Sequence, residues 1–261
     1  MRALLGFLSA MALLGPSWAS AQMLPHRAEY TLRLGAAANA PRVGTAVQDL
    51  NRDCDGWRME REIKGELAVT PSLKMNVVSR LDSEEATAGD LFRFQTQLSQ
   101  NGSARKTQGM VQRDGDALSA EIDSANGASY LALPEPTFLP VSWIKHLIHK
   151  LRAGSAPFAG FLFDAEGTRD AFMVDVRRTE LKALRRRPPA DKPIVIDGES
   201  WPVFLAFSRR TDSPEKPLFT MTAQLYESGV VDRLTVDAHV AIVTADLQSL
   251  QMHDVPACAR H

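Results

Sequence analysis

From Ala28 onward the chain alternates apolar and polar positions with the two-residue period of half-buried strands. Ala28, Tyr30, Leu32 and Leu34 form one such row, and Arg42 to Asp49 is a second extended stretch. Trp57, Met59, Arg61 and Ile63 alternate with Arg58, Glu60 and Glu62; Leu73, Met75, Val77 and Ser79, then Phe92, Phe94, Thr96 and Leu98, continue the pattern. Between these runs stand turn dipeptides. Asn101-Gly102 is the strongest short hairpin signal, and Asp55-Gly56 and Asp114-Gly115 mark two further reversals. Strands joined by tight turns without intervening helices predict an antiparallel meander.

One segment breaks the period. Ile144, Leu147, Ile148 and Leu151 follow helical i, i+3, i+4, i+7 spacing, Pro140 suits a first turn and Gly154 a left-handed cap. The pattern predicts one amphipathic helix at about 140–153, with Lys145, His146, His149, Lys150 and Arg152 on its polar sides. Its apolar stripe should cover a face or an end of the sheet. Extended runs resume at Phe158–Phe163, Phe172–Val176, Val203–Phe207, Phe219–Ala223, Leu234–Val236 and Ile242–Met252. Between them, Leu181 to Asp191 contains Arg185-Arg186-Arg187-Pro188-Pro189, which suits neither helix nor sheet and reads as a flexible loop. The expected organisation is a signal peptide at 1–21 and one mainly β domain at 22–261.

Composition narrows the function. With 44% apolar and 23% charged residues the chain can bury a sizeable core, and a formal net charge of −1 argues against nucleic-acid binding. Met1 to Ala21 has the parts of a secretory signal: Arg2, an apolar run from Ala3 to Leu14, and small residues at Ala19-Ser20-Ala21. That run is too short to span a bilayer, which takes roughly 20 residues, so a cleaved leader and a soluble exported protein are expected. Export decides how Cys54 and Cys258, the two cysteines, are read: disulfides persist outside the cytosol, and the pair is expected to bridge.

Candidate chemistry is sparse. No Gly-x-Ser-x-Gly elbow is present, so a hydrolase is a remote reading. His146 and His149 lack the His-Glu-x-x-His spacing of zinc proteases and read as solvated; Asp53 and Asp55 read as a turn, not a calcium loop. No metal or cofactor is expected. Arg185, Arg186 and Arg187 are candidates for weak, peripheral contact with anionic lipid headgroups, against a merely solvated loop. Trp57, Trp143 and Trp201 line either an apolar pocket or an ordinary core, which periodicity does not separate.

Taken in order, the leader, Cys54-Asp55-Gly56-Trp57, Phe138-Leu139-Pro140, Phe163-Asp164, Trp201-Pro202-Val203, Leu225-Tyr226-Glu227-Ser228-Gly229-Val230 and Pro256-Ala257-Cys258 resemble the EipB family of bacterial periplasmic proteins associated with cell-envelope integrity. The resemblance implies a β-spiral, a long antiparallel sheet curled on itself with a packed helix, stapled between Cys54 and Cys258, without known catalysis or cofactor. Ala165, where glycine is expected after Asp164, and the basic run at Arg185 depart from it. The resulting expectation is a non-catalytic factor that binds an envelope protein or lipid; the alternative is a carrier of lipids or lipoproteins with an apolar cavity.

Overall fold

In the computed structural model, residues 23–70, 73–167, 170–186, 194–210 and 216–258 are described; the expected leader and Arg187 lie outside them. Strands β1 (His26–Leu34), β2 (Arg42–Arg52), β3 (Gly56–Thr70), β4 (Leu73–Ala86) and β5 (Leu91–Gln100) follow one another as expected; β6 (Ser103–Asp114) and β7 (Ala117–Ser124) flank the reversal at Asp114-Gly115, and β8 (Gly127–Leu133) is a strand the alternation did not mark. A two-residue β9 (Thr137–Phe138) leads into helix α1 (Pro140–Arg152). Then come β10 (Phe158–Leu162), β11 (Phe172–Arg178), β12 (Ser200–Arg209), β13 (Phe219–Tyr226), β14 (Val231–Asp237) and β15 (Ile242–Met252).

All fifteen strands belong to one sheet, ordered β8-β7-β6-β5-β4-β3-β2-β1-β15-β14-β13-β12-β11-β10-β9. Every neighbouring pair is antiparallel except β9–β10, which is parallel. The first and last strands therefore meet in the middle. The two edges, β8 and β9, are consecutive in the chain, and the sheet curls into a barrel-like form with one seam between them. This is the antiparallel meander with one helix that the alternation predicts, curled on itself as the family resemblance implies.

Turn chemistry follows the sequence at one site and departs from it at another. Asn101 and Gly102 both take positive φ, 50° and 85°, as a two-residue hairpin of the mirror type requires. Asp55-Gly56 is built differently. Asp53 Oδ1 accepts from the amides of Asp55 (2.9 Å) and Gly56 (2.6 Å), and Gly56 is needed for space, since a Cβ there would sit 2.4 Å from the Glu85 carbonyl oxygen. After Asp164 no glycine is required: its side chain and carbonyl accept from Glu166 and Gly167, and the Ala165 methyl is buried.

Helix α1 lies inside the curl, so more than one stripe is buried. Trp143, Leu147, Ile148 and Leu151 pack on Val174, Val176, Trp201, Val203, Leu205 and Phe207 of one wall. Val141 turns to the opposite wall, against Met23, Leu50 and Trp57. The helix stops in a Schellman cap: Gly154 has φ +67°, its amide donates to Leu151 O, and the Ser155 amide donates to Lys150 O. A further cluster joins Leu81, Phe92, Phe94, Val111 and Ile122 to Leu139, Phe163 and Ala171, so the start of α1 and the end of β10 cover the β4–β7 wall.

Cys54, in the β2–β3 turn, is bonded to Cys258, beyond β15, over a sequence separation of 204 with Cα atoms 5.4 Å apart. Both cysteines are exposed. The bond carries the C-terminal tail across β1 and β2. In the chain-entropy picture a closed loop of this size stabilises by at most about 5 kcal/mol. Cys54→Ser, or reduction of the wild type, is therefore expected to lower the denaturant midpoint while leaving the far-ultraviolet circular dichroism of the folded state unchanged; an unmoved midpoint contradicts this.

Candidate functional site

Inside the curl, the buried Glu85 accepts three hydrogen bonds from the start of α1. Helix α1 begins at Leu139, whose side chain offers no cap, and its first turn holds no acidic residue. The missing acceptor comes from β4. Glu85 Oε2 accepts from the Val141 amide and Oε1 from the Ser142 amide, both at 2.7 Å, and the Ser142 hydroxyl donates to Oε1 as well. One turn on, the Lys145 ammonium lies 5.1 Å from the centroid of the Trp57 ring, over which Arg52 also sits at 5.5 Å. Burial raises the Glu85 pKa above the usual carboxylate value, with the bonds from Ser142 and Val141 and the charge of Lys145 pulling the other way. Desolvation lowers that of Lys145, against the attraction of Glu85. Counting by twos from Leu81 places Glu85 on the core face, and a helix lacking its own cap is the complementary signal; sequence reasoning used neither.

Glu85→Ala is expected to cost about 2 kcal/mol, because the amides of Val141 and Ser142 lose their acceptor at a buried helix end. A folded-state pKa above the unfolded one means the native state holds the proton more tightly. The contribution of Glu85 to stability is thus largest in acid and declines as pH rises from the ordinary carboxylate value through the raised one. In denaturant titrations across that window, Glu85→Gln should flatten the decline.

The predicted site residues do not converge. Trp143 and Trp201 share the cluster around α1, with the Trp201 indole donating to Glu199 at 3.1 Å, while Trp57 belongs to the separate cluster below Val141. All three are buried in side-chain packing. Gly160 makes room for Trp143, since a Cβ there would meet its ring at 2.9 Å. The expectation of solvated histidines needs correction at His146, which is half-buried and stacked on Phe138 at 4.3 Å between centroids; His149 is exposed. Among the described residues no His, Cys, Asp or Glu cluster suited to a metal ion occurs.

Arg185 also differs from its expected role. Leu184 and Arg185 turn inward, and the guanidinium pairs with the buried Asp246 of β15, whose other oxygen lies 3.6 Å from Arg33 Nε. A carboxylate withdrawn from water demands such cations, so this side chain is committed inside and unavailable to a lipid surface. Arg186 is exposed. Arg185→Ala is expected to cost about 3 kcal/mol by stranding Asp246, and Arg186→Ala close to nothing, in the same unfolding assay.

On the solvent face of β4–β8, strand register assembles a groove of about 700 Å³. Two cross-strand rows form it. One runs Glu84, Arg93, Met110, Glu121 and continues past the groove to Tyr130; the next runs Asp82, Gln95, Gln108, Asp123, Ala128. Its lining includes four carboxylates, Asp82, Glu84, Glu121 and Asp123, and one guanidinium, Arg93. A second groove of about 490 Å³, lined by Arg27, Asp49, Glu62 and Arg80 among others, adjoins it through Asp82 and Gln95. Both offer charged and amide groups on a sheet surface, chemistry suited to recognising a polar or cationic partner.

A single sheet curled around one helix and clasped from the β2–β3 turn to the tail defines a barrel-like class of β proteins. Within it, the chain belongs to the EipB-like family, whose model matches residues 18–254. Among solved structures it is similar to a β-barrel-like protein of a domain of unknown function from Brucella abortus, with a TM-score of 0.75 and 19% identity over 89% of this chain and 99% of that one. At that identity the likeness speaks for the fold. Comparison with curated proteins finds no match.

Proposed function

We propose that this chain is a non-catalytic periplasmic protein that supports the cell envelope by binding an envelope protein or lipid at its surface. The observation that carries this reading is the family match across residues 18–254, which extends over the curled sheet, helix α1 and the strands on both sides of it. A disulfide joining distant parts of the chain suits an oxidising compartment, in keeping with the leader-like segment at 1–21. Among the described residues no helix is long and apolar enough to cross a membrane. Because α1 fills the concave space with Trp143, Leu147, Ile148 and Leu151, the outer surface is the favoured place for a partner.

A carrier of lipids or lipoproteins is the second reading, favoured by one observation. Beyond the reach of the helix clusters, the inward rows of β3–β5 continue with the half-buried Ile63 and Val77 and the 44% exposed Leu98, apolar side chains set among Ser79, Gly65 and Gln100 on the concave face. Native mass spectrometry of gently purified protein discriminates: co-purified lipid supports carriage. For the preferred reading, deletion of the gene is expected to raise sensitivity to detergent and to envelope-targeting antibiotics, with rescue by the exported chain and none by a leaderless version. A deletion strain as resistant as its parent would count against it.

A further inference from the structure

The two ends of the sheet are treated differently. Strand β9 is two residues long, as short as an edge can be. Strand β8, Gly127-Ala128-Ser129-Tyr130-Leu131-Ala132-Leu133, is seven residues long, contains no charge and no proline, and pairs with β7 without a register break. Its ladder is made on one side, since β8 ends the sheet. Natural edges are ordinarily blunted by charges, proline or bulges, because an open row of amides and carbonyls is a template for another strand. Here none of these devices is present, and residues 127–130 are exposed.

Next to this edge lies the acidic groove. Ala128 belongs both to β8 and to the groove lining, and it stands opposite Asp123 in the ladder; Tyr130, 72% exposed, stands opposite Glu121. We propose that β8 is a docking edge for an extended, basic segment of a partner protein, which adds to the sheet as a further strand. Strands lie about 4.8 Å apart, so a lysine or arginine placed beside Ala128 reaches over that methyl to the Asp123 carboxylate. Two residues along the added strand, on the same face, a second cation meets the Tyr130 ring and then Glu121. Backbone pairing supplies attachment and the alternating cations supply selectivity. A second copy of this chain suits the edge less well, because it would bring its own Glu121 and Asp123 toward the same face. The inference rests on the reading that the protein acts by engaging an envelope partner, and it names the surface and the partner's chemistry.

The test uses the wild-type protein and a fluorescein-labelled heptapeptide, Lys-Val-Lys-Val-Lys-Val-Lys, read by anisotropy at low salt. Its glutamate counterpart is expected to bind about tenfold more weakly, from two rim contacts worth together about one decade. The double variant Glu121→Lys, Asp123→Lys should reverse that order. Peptides N-methylated at every valine or at every lysine separate strand addition from loose charge attraction: one isomer should lose binding and the other keep it, because alternate amides face β8. Equal binding of the lysine and glutamate peptides, or of the parent and both methylated isomers, overturns the proposal. So does a wild-type dimer in sedimentation that Ala128→Lys with Tyr130→Lys converts to monomer, since the edge is then filled by a second copy. If that same double variant loses the peptide yet fully restores detergent resistance to a deletion strain, β8 is not the working surface and the envelope reading stands. A deletion strain without a phenotype removes the envelope reading instead, and leaves the peptide result to decide the edge.

Discussion

The carboxylate of Glu85 set into the start of α1 is the contact on which the interior depends. The inward rows of the curled sheet are packed against α1, which fills the space they enclose on the β11–β13 side. That helix arrives without a cap of its own, inside a wall where water does not replace one. One oxygen pair from β4 meets the first two free amides, and so fixes where along the wall the helix begins. From that point its side chains fall into place: Val141 toward Trp57, Trp143 and Leu147 toward β11 and β12, with Lys145 left over the Trp57 ring. The cost is a desolvated carboxylate, expressed as a raised pKa, and the structure offsets it with three hydrogen bonds and a nearby ammonium.

Features set by neighbours in sequence were legible. Alternation located most strands, Asn101-Gly102 marked its hairpin, helical spacing found α1 to within a residue at its end, and two cysteines in an exported-looking chain pointed to a bridge. Features set by register or by remote partners were not. Arg185 reads as part of a basic loop until Asp246, on a strand far along the chain, is seen to lie buried beneath it. His146 reads as solvent-facing on a helical wheel because the wheel omits Phe138, which packs from before the helix. The groove rows are invisible in sequence for the same reason: Glu84, Arg93, Met110, Glu121 and Tyr130 share no local spacing and become neighbours through four successive hairpin registers.

The inside and outside of the sheet divide the work. Inward rows are spent on holding α1 and the end of β10, with the aromatic side chains in packing contacts. Outward rows carry carboxylates, amides and a bare edge, groups that packing does not use. This separation fits a protein whose interior maintains shape and whose surface meets others.

The strand order also governs when the molecule can be completed. Because β1 pairs with both β2 and β15, a chain delivered amino terminus first can lay down β1 to β8 as local hairpins, yet it must hold the far side of β1 open until β15 has arrived. Closure thus waits for contacts of the longest sequence separation and is correspondingly slow. Throughout that interval the far side of β1 is an unpaired strand edge, the part of the unfinished chain most open to pairing with a neighbour.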